Sequence, residues 1–194
     1  MGLQDCPVQL ISVEDLWHTS SDMYSVDDKD DVVELREVPQ SSKGAPLPFA
    51  VSDEHKVLLA YIVENVPDGW DGTWVRVVTP DSADETIACV QFNHYCSYQF
   101  GRPNDEAFSG HPLASRGLHP YAAFEIKSSS WIRQLERMNS VHDYHKPERY
   151  ERLKHYVFAF HDSTFECVAE GFAIALHQGS LKSLLPEIEN LLGW

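Results

Sequence analysis

The chain of 194 residues carries 30 acidic against 15 basic side chains, a formal net charge of −15, with 43% hydrophobic and 23% charged residues. That balance belongs to a folded globular protein, and the length suits a single domain, residues 1–194, without forcing a division. It argues against DNA or RNA as the default partner, since phosphate binding needs clustered Lys and Arg, and it favours a cationic protein partner.

No apolar stretch approaches the roughly 20 residues needed to cross a bilayer. Val57–Val63 and Tyr156–Phe160 are the longest examples. Met1–Ser12 has no Lys or Arg and no sustained apolar run. Neither a secretory signal nor a transit peptide is therefore read there, and a cytoplasmic protein with no membrane association is expected. Cys6, Cys89, Cys96 and Cys167 form no C-x-x-C pair. Such spacing fits reduced thiols better than a disulfide scaffold or a Cys-rich zinc site.

Charge is unevenly placed. Residues 1–40 hold ten acids against two bases, whereas 111–160 hold eight bases against five acids together with five of the ten histidines. The basic segment reads either as solvated faces pairing with the acidic surface or as an anion-binding patch.

In chain order, Asp22–Asp31 is a dense acidic run that reads as an exposed loop or mobile arm. Val38–Pro48 gathers Pro, Gly and Ser and is the best candidate connector. The acidic segment of about residues 1–48 is thus expected to be an arm or subdomain. Lys56–Glu64 has strand character, followed by turn chemistry at Pro67-Asp68-Gly69 and a second strand over Thr73–Thr79. Thr86–Tyr98 alternates as one long half-buried strand. Gly101–His119 shows no period and reads as a long loop of the kind that is functional or mobile.

Tyr121–Ile126 predicts another strand. Ser128-Ser129-Ser130 then supplies hydroxyls for a helix N-cap, with Trp131, Ile132, Leu135 and Met138 at helical spacing. A short helix is expected to start near Pro147, where a first-turn proline is tolerated. His155–Ala169 reads as a hairpin turning at His161-Asp162-Ser163-Thr164. From Ser180, leucines and isoleucines at 181, 184, 185, 188, 191 and 192 form one stripe of an amphipathic helix. The expected class is α+β: a mainly antiparallel sheet with two or three helices packed on it, one of them the C-terminal amphipathic helix.

Three constellations could carry chemistry. In Phe100–Leu118, Asp105, Glu106 and His111 could meet around a substrate while Arg102 and Arg116 hold an anion. A carboxylate beside an imidazole fixes its tautomer and makes a minimal general-base pair. The competing reading of these residues is ordinary turn chemistry. His142 and His145, with Asp143 nearby and His111, His119 and His155 elsewhere, could approach a metal, yet no H-E-x-x-H motif or second matched pair is present and no metal site is assigned. Cys167 or Cys96 could pair with His161, His94 or His111 as a thiol nucleophile, but Cys167 sits within strand alternation, where a buried structural thiol is the expected state. No G-x-G-x-x-G or Walker spacing occurs, so no cofactor is expected.

The segments FGRPNDEAFSGHPLASRGL, FEIKSSSWIRQLERMN and HYVFAFHDSTFECVAE together resemble an uncharacterised family of small bacterial proteins with no assigned activity, over about residues 92–170. The resemblance implies a bacterial source and brings no mechanism. On charge, the leading expectation is a non-catalytic binding protein, an immunity-like acidic antagonist of a basic partner. The alternatives are a small hydrolase using His111 with Asp105 or Glu106, and a small-molecule sensor with an aromatic pocket from Trp70, Trp74, Tyr95 and Phe100. Arg102, Arg116, Trp74 and Tyr95 are the candidate ligand-binding residues.

Overall fold

A computed structural model of the protein describes residues 24–65, 69, 71, 73 and 77–194. The readings at Met1–Ser12 and Cys6, Pro67 and Asp68 of the predicted turn, and Trp70 and Trp74 lie outside them; of the predicted strand Thr73–Thr79, residues 74–76 lie outside and the described Thr73 and 77–79 are not in a strand.

Two antiparallel sheets face each other. One has five strands: β1 (Asp31–Glu34), β6 (Ala123–Lys127), β7 (Lys154–Ala159), β8 (Thr164–Ala169) and β5 (Ser97–Gly101), in that spatial order. The other has four: β2 (Phe49–Ser52), β3 (Val57–Ile62), β4 (Glu85–Asn93) and β9 (Gly171–Gly179). Helix α1 (Ser130–Asn139) follows β6, and α2 (Leu181–Leu192) follows β9. This is the expected α+β architecture with a helix near the C-terminus.

The two-residue period of each strand divides its side chains between two faces. Leu59, Tyr61, Val90 and Phe92 of the four-stranded sheet meet Tyr156, Phe158, Phe165 and Cys167 of the five-stranded one. Phe92 lies at the centre, 5.4 Å from the Phe165 ring and 5.9 Å edge-on to Phe158. The opposite faces are covered as well. Leu58, Ala60, Ile62 and Ile87 receive Leu181, Leu184 and Ile188 of α2. Phe124, Ile126, Val157 and Val168 receive Trp131 of α1, Tyr24, and Phe108, Leu113 and Leu118 of the 101–119 loop. Coverage on both sides explains why β3 and β8 are buried at every position instead of alternating.

Both helices begin where the sequence places their caps. Ser129 caps α1, its hydroxyl accepting from Ile132 N at 3.3 Å. Ser180 caps α2 through a reciprocal box with Ser183, and Gly193 ends that helix in the left-handed conformation, φ 82°. The segment at Pro147 is a single 3-10 stretch, Pro147–Arg152, with the proline in its first turn. The hairpin over 155–169 forms as read, closed by Phe160 N donating to Ser163 O at 2.9 Å.

Several expectations need correction. Thr86–Tyr98 is not one strand: β4 ends at Asn93, His94 adopts φ 49°, and the chain crosses to the other sheet as β5. A left-handed residue reverses the chain direction and cannot continue an extended ladder. The described part of the acidic run is integrated, not an arm. Tyr24 and Asp30 are buried, and β1 pairs with β6 from Asp31↔Lys127 to Glu34↔Phe124. Asp30 accepts from Ser130 N at 2.5 Å, capping the first turn of α1, and Arg133 meets Asp27 at 2.6 Å. Strands β1, β2 and β9 carry no strong sequence signal, although β9 pairs with β4 along all nine residues.

Leu184 is fully buried beneath the four-stranded sheet. Leu184→Ala should cost about 2–5 kcal/mol. Urea unfolding of the two proteins measures it, and a loss below about 1 kcal/mol would show that α2 does not seal this sheet.

Candidate functional site

His111 does not meet Asp105 or Glu106. Its Nδ1 accepts the Leu113 N–H at 3.1 Å, which places the proton on Nε2, and Nε2 donates to Glu166 Oε1 at 3.3 Å. The pairing follows from packing: the 101–119 loop turns Phe108 and Leu113 into the sheet's covered face and carries His111 between them.

Glu166 is the centre of a polar cluster whose carboxylate and two histidines are buried and whose Gln99 is half-buried. It lies directly opposite Gln99 on β5, and His155 sits diagonally across on β7. Oε1 accepts from Gln99 Nε2 at 2.9 Å and from His111, and Oε2 accepts from the Tyr24 hydroxyl and from His155 Nε2, both at 2.8 Å. His155 Nδ1 accepts in turn from Ser129 Oγ at 2.9 Å, the same hydroxyl that caps α1. Tyr24 stacks on Trp131 at 5.5 Å, and Trp131 stands edge-on to His155 at 5.0 Å.

Four donors fill the acceptor capacity of one carboxylate. Burial alone would raise the Glu166 pKa, but hydrogen bonds from His111 and His155 overcome it and hold the group below the ordinary carboxylate range. Tyr24 moves the other way, its phenol pushed far up by burial and then by the Glu166 charge. Ser129, His155 and Glu166 have the residue types of a hydrolytic triad in the wrong setting. All three are buried and every donor and acceptor among them is committed.

A second His–carboxylate group is open to solvent. Asp105 N donates to His161 O at 2.9 Å, bringing the 101–119 loop against the β7–β8 turn, and Tyr121 N donates to Ala159 O at 2.9 Å. These backbone bonds gather three side chains. The Tyr121 hydroxyl donates to Asp105 Oδ2 at 2.5 Å, and His161 Nδ1 lies 2.8 Å from both that carboxylate oxygen and the phenolic oxygen.

One proton arrangement satisfies the triangle: Tyr121 donates to Asp105, and His161 Nδ1–H is shared between Asp105 and the Tyr121 oxygen. His161 Nε2 then presents its lone pair outward. It has no hydrogen-bond partner among the described residues, and the side chain is 43% exposed. Hydrogen bonds from Tyr121 and His161 keep the Asp105 pKa low, while donating to Asp105 pushes the Tyr121 phenol up to about 12. Tyr121 has φ 63°, a conformation that costs a bulky residue about 1–3 kcal/mol and persists only where surroundings enforce it.

Tyr121 also lines a cleft of about 400 Å³ at the end of the sandwich where β1 and β7 stop and β6 starts. Tyr61, Phe158 and Phe160 contribute its apolar part, and Arg36, Ser41 and Lys43 its polar part.

The remaining candidates disperse. Arg116 donates to Asp30 O at 2.8 Å, and Arg102 has no partner among the described residues. Tyr95 bonds Asp53 O, and Phe100 packs on Phe165. Trp74 lies outside the described residues, so no aromatic pocket can be traced through it. Within the basic segment, Lys127 pairs with Glu125, Arg133 with Asp27 and Arg152 with Glu170, the pairing with acidic neighbours that was the first of its two readings.

Of the candidate metal ligands, His142 accepts from Tyr144 N, His145 bonds Glu136, and His111 and His155 are held by Glu166. No group of three or more His, Cys, Asp or Glu suited to a metal occurs among the described residues. Burial pushes the Cys89 thiol up to about 11 and the Cys167 thiol further, which opposes thiolate chemistry. No helix among the described residues is long and apolar enough to cross a membrane.

Comparison with protein-family models, with curated proteins and with solved structures finds no match. The site must therefore be read from its own geometry.

Two outcomes follow. Glu166 has a depressed folded-state pKa, so its contribution is fully present above its ordinary value of 4.5 and is lost as pH falls toward about 2. Glu166→Gln should cost about 3–5 kcal/mol at neutral pH, because an amide turns donors toward donors, and should flatten the acid limb of stability against pH. Equal urea midpoints for the two proteins at neutral pH would refute the buried-charge account. Site-resolved alkylation should label Cys96 in the native protein and reach Cys89 and Cys167 only after denaturation; native labelling of Cys167 would contradict its packing between the sheets.

Proposed function

We propose that the protein is a small hydrolase in which His161 is the general base, oriented by Asp105 and Tyr121. The supporting observation is the free, outward Nε2 of an imidazole whose other nitrogen is fixed by a carboxylate, beside a cleft that Tyr121 lines. In this reading the sequence-derived pairing of His with Asp105 is kept and the histidine is exchanged, His161 for His111.

The chemistry requires no group beyond water. His161 Nε2 accepts a proton from a water molecule as its oxygen attacks the carbonyl carbon of an ester. The developing positive charge on the ring is stabilised through Nδ1–H by Asp105. Nε2 then returns the proton to the leaving alkoxide as the ester C–O bond breaks, leaving acid and alcohol. Tyr121 keeps the carboxylate in place and limits rotation of the ring. The alternative of an acidic, immunity-like binding protein rests on net charge alone, which concerns encounter rates and not this geometry.

The test is hydrolysis of 4-nitrophenyl esters. His161→Gln should lower kcat about 10²–10⁴-fold, the usual contribution of a positioned base. Asp105→Asn should lower it less, and Tyr121→Phe least. Turnover by His161→Gln equal to that of the unaltered protein, or the absence of turnover above buffer in the latter, would overturn the proposal. Thermal unfolding of the same variants separates this from anchoring of the loop alone, which would change stability and leave turnover unaffected.

A further inference from the structure

The cleft beside Tyr121 contains an unexplained polar group. Ser41 is 5% exposed, its Oγ is buried without a hydrogen-bond partner, and it lines the cavity. A buried hydroxyl left unpaired has lost its water partners and gained none in return. Ser41 is held by an antiparallel bridge to Val63, and Ser42 N donates to Ile62 O at 2.9 Å, so the segment is extended along the end of β3. Lys43 stands in the bend that follows, and it too is a lining residue. Its backbone N–H is taken by Glu64 at 2.8 Å, and its ammonium has no ion pair among the described residues.

The protein carries a net −15, and among the residues lining the cleft Arg36 and Lys43 accompany the carboxylate of Glu34, which Arg36 meets at 3.4 Å, while Glu64 sets a second carboxylate on the Lys43 backbone N–H. Below them, Tyr61, Phe158 and Phe160 form an apolar floor, and the Tyr61 hydroxyl is already spent on Pro39 O at 2.7 Å. A hydroxyl lacking a partner, an adjacent ammonium and an aromatic floor together specify an anionic head on an apolar body.

We propose that this cleft binds a small organic carboxylate with an aromatic or branched apolar body. One carboxylate oxygen accepts from Ser41 Oγ–H, the other faces Lys43, and the body lies over Tyr61 and Phe160. A volume of about 400 Å³ is within the range of small-molecule sites. Combined with the hydrolytic reading, on which this second step rests, the substrate class becomes esters that carry a free carboxylate. The carboxylate is held at Ser41 and Lys43, and the scissile bond is turned toward Tyr121, the lining residue whose hydroxyl lies 2.8 Å from His161 Nδ1.

The experiment is a titration of the full chain with phenylacetate, followed by amide chemical shifts, with neutral phenylacetamide as the comparison. Phenylacetate should give saturable shifts at Ser41, Lys43 and Tyr121, and phenylacetamide should bind at least about tenfold more weakly. Ser41→Ala, which removes an unpaired hydroxyl and should not impair folding, and Lys43→Gln should each weaken phenylacetate several-fold. Absence of saturable shifts, equal binding of the amide, or indifference to both variants would overturn the proposal.

His161→Gln keeps the two readings distinguishable. It should retain phenylacetate binding while losing ester turnover. Binding without turnover in the unaltered protein removes the hydrolase alone, whereas turnover that does not prefer carboxylate-bearing esters removes this ligand class alone.

Discussion

A single buried carboxylate organises one side of this molecule. Glu166 extends from the five-stranded sheet into a layer that otherwise excludes water. Its four hydrogen bonds come from separate parts of the chain: the segment before β1, β5, the 101–119 loop and β7. Desolvating such a charge costs several kcal/mol unless every lone pair is met. The cluster is therefore cooperative in a strict sense, since any missing donor leaves a charge under-solvated in a low-dielectric interior. Ser129 extends that dependence to α1, because the hydroxyl that starts the helix also orients His155. Position of the loop, of the helix and of Tyr24 is thereby coupled to one side chain.

Covering both faces of both sheets has a consequence for function. Polar groups projecting from the middle of β7 or β8 are enclosed, so they become structural whatever their chemistry. An end of the sandwich can expose a titratable group held by rigid neighbours, as the open face of β9 also does with His177. The Asp105, Tyr121 and His161 cluster forms at such an end, where the β7–β8 turn, the entry to β6 and the start of the long loop converge. The same end leaves the cleft between the sheets open above Tyr61 and Phe158.

Local chemistry made much of this legible in the sequence. The hairpin over 155–169, the Ser129 and Ser180 caps, the α2 stripe and the proline in the first turn of 147–152 all depend on residues a few positions apart. Three strands left weaker traces. β1 hides in an acidic run because its burial is on one side only, and β2 is four residues long and half-buried. β9 mixes Ala, Gly, His and Gln because it lies at an edge. At the candidate site, the sequence singles out Asp105 and an imidazole partner, and the structure pairs it with a different histidine from the expected His111. His111 is six residues away and is carried inward by Phe108 and Leu113. His161 is 56 residues away and is delivered by strand pairing. No linear spacing encodes that meeting.

The two histidine groups show why proximity of an imidazole and a carboxylate is not itself evidence of catalysis. At Glu166 both rings spend both nitrogens: His111 on Leu113 N–H and the carboxylate, His155 on Ser129 and the carboxylate. Neither has a lone pair left for a reacting molecule, and neither is reached by water. At Asp105 only Nδ1 is committed, and the chain tolerates a left-handed tyrosine to commit it. What separates a structural pair from a base is the unspent nitrogen and the space in front of it. Of the His–carboxylate groups that the long loop builds, His161 with Asp105 has the first, and its side chain is 43% exposed next to Tyr121, the member of the cluster that lines the cleft.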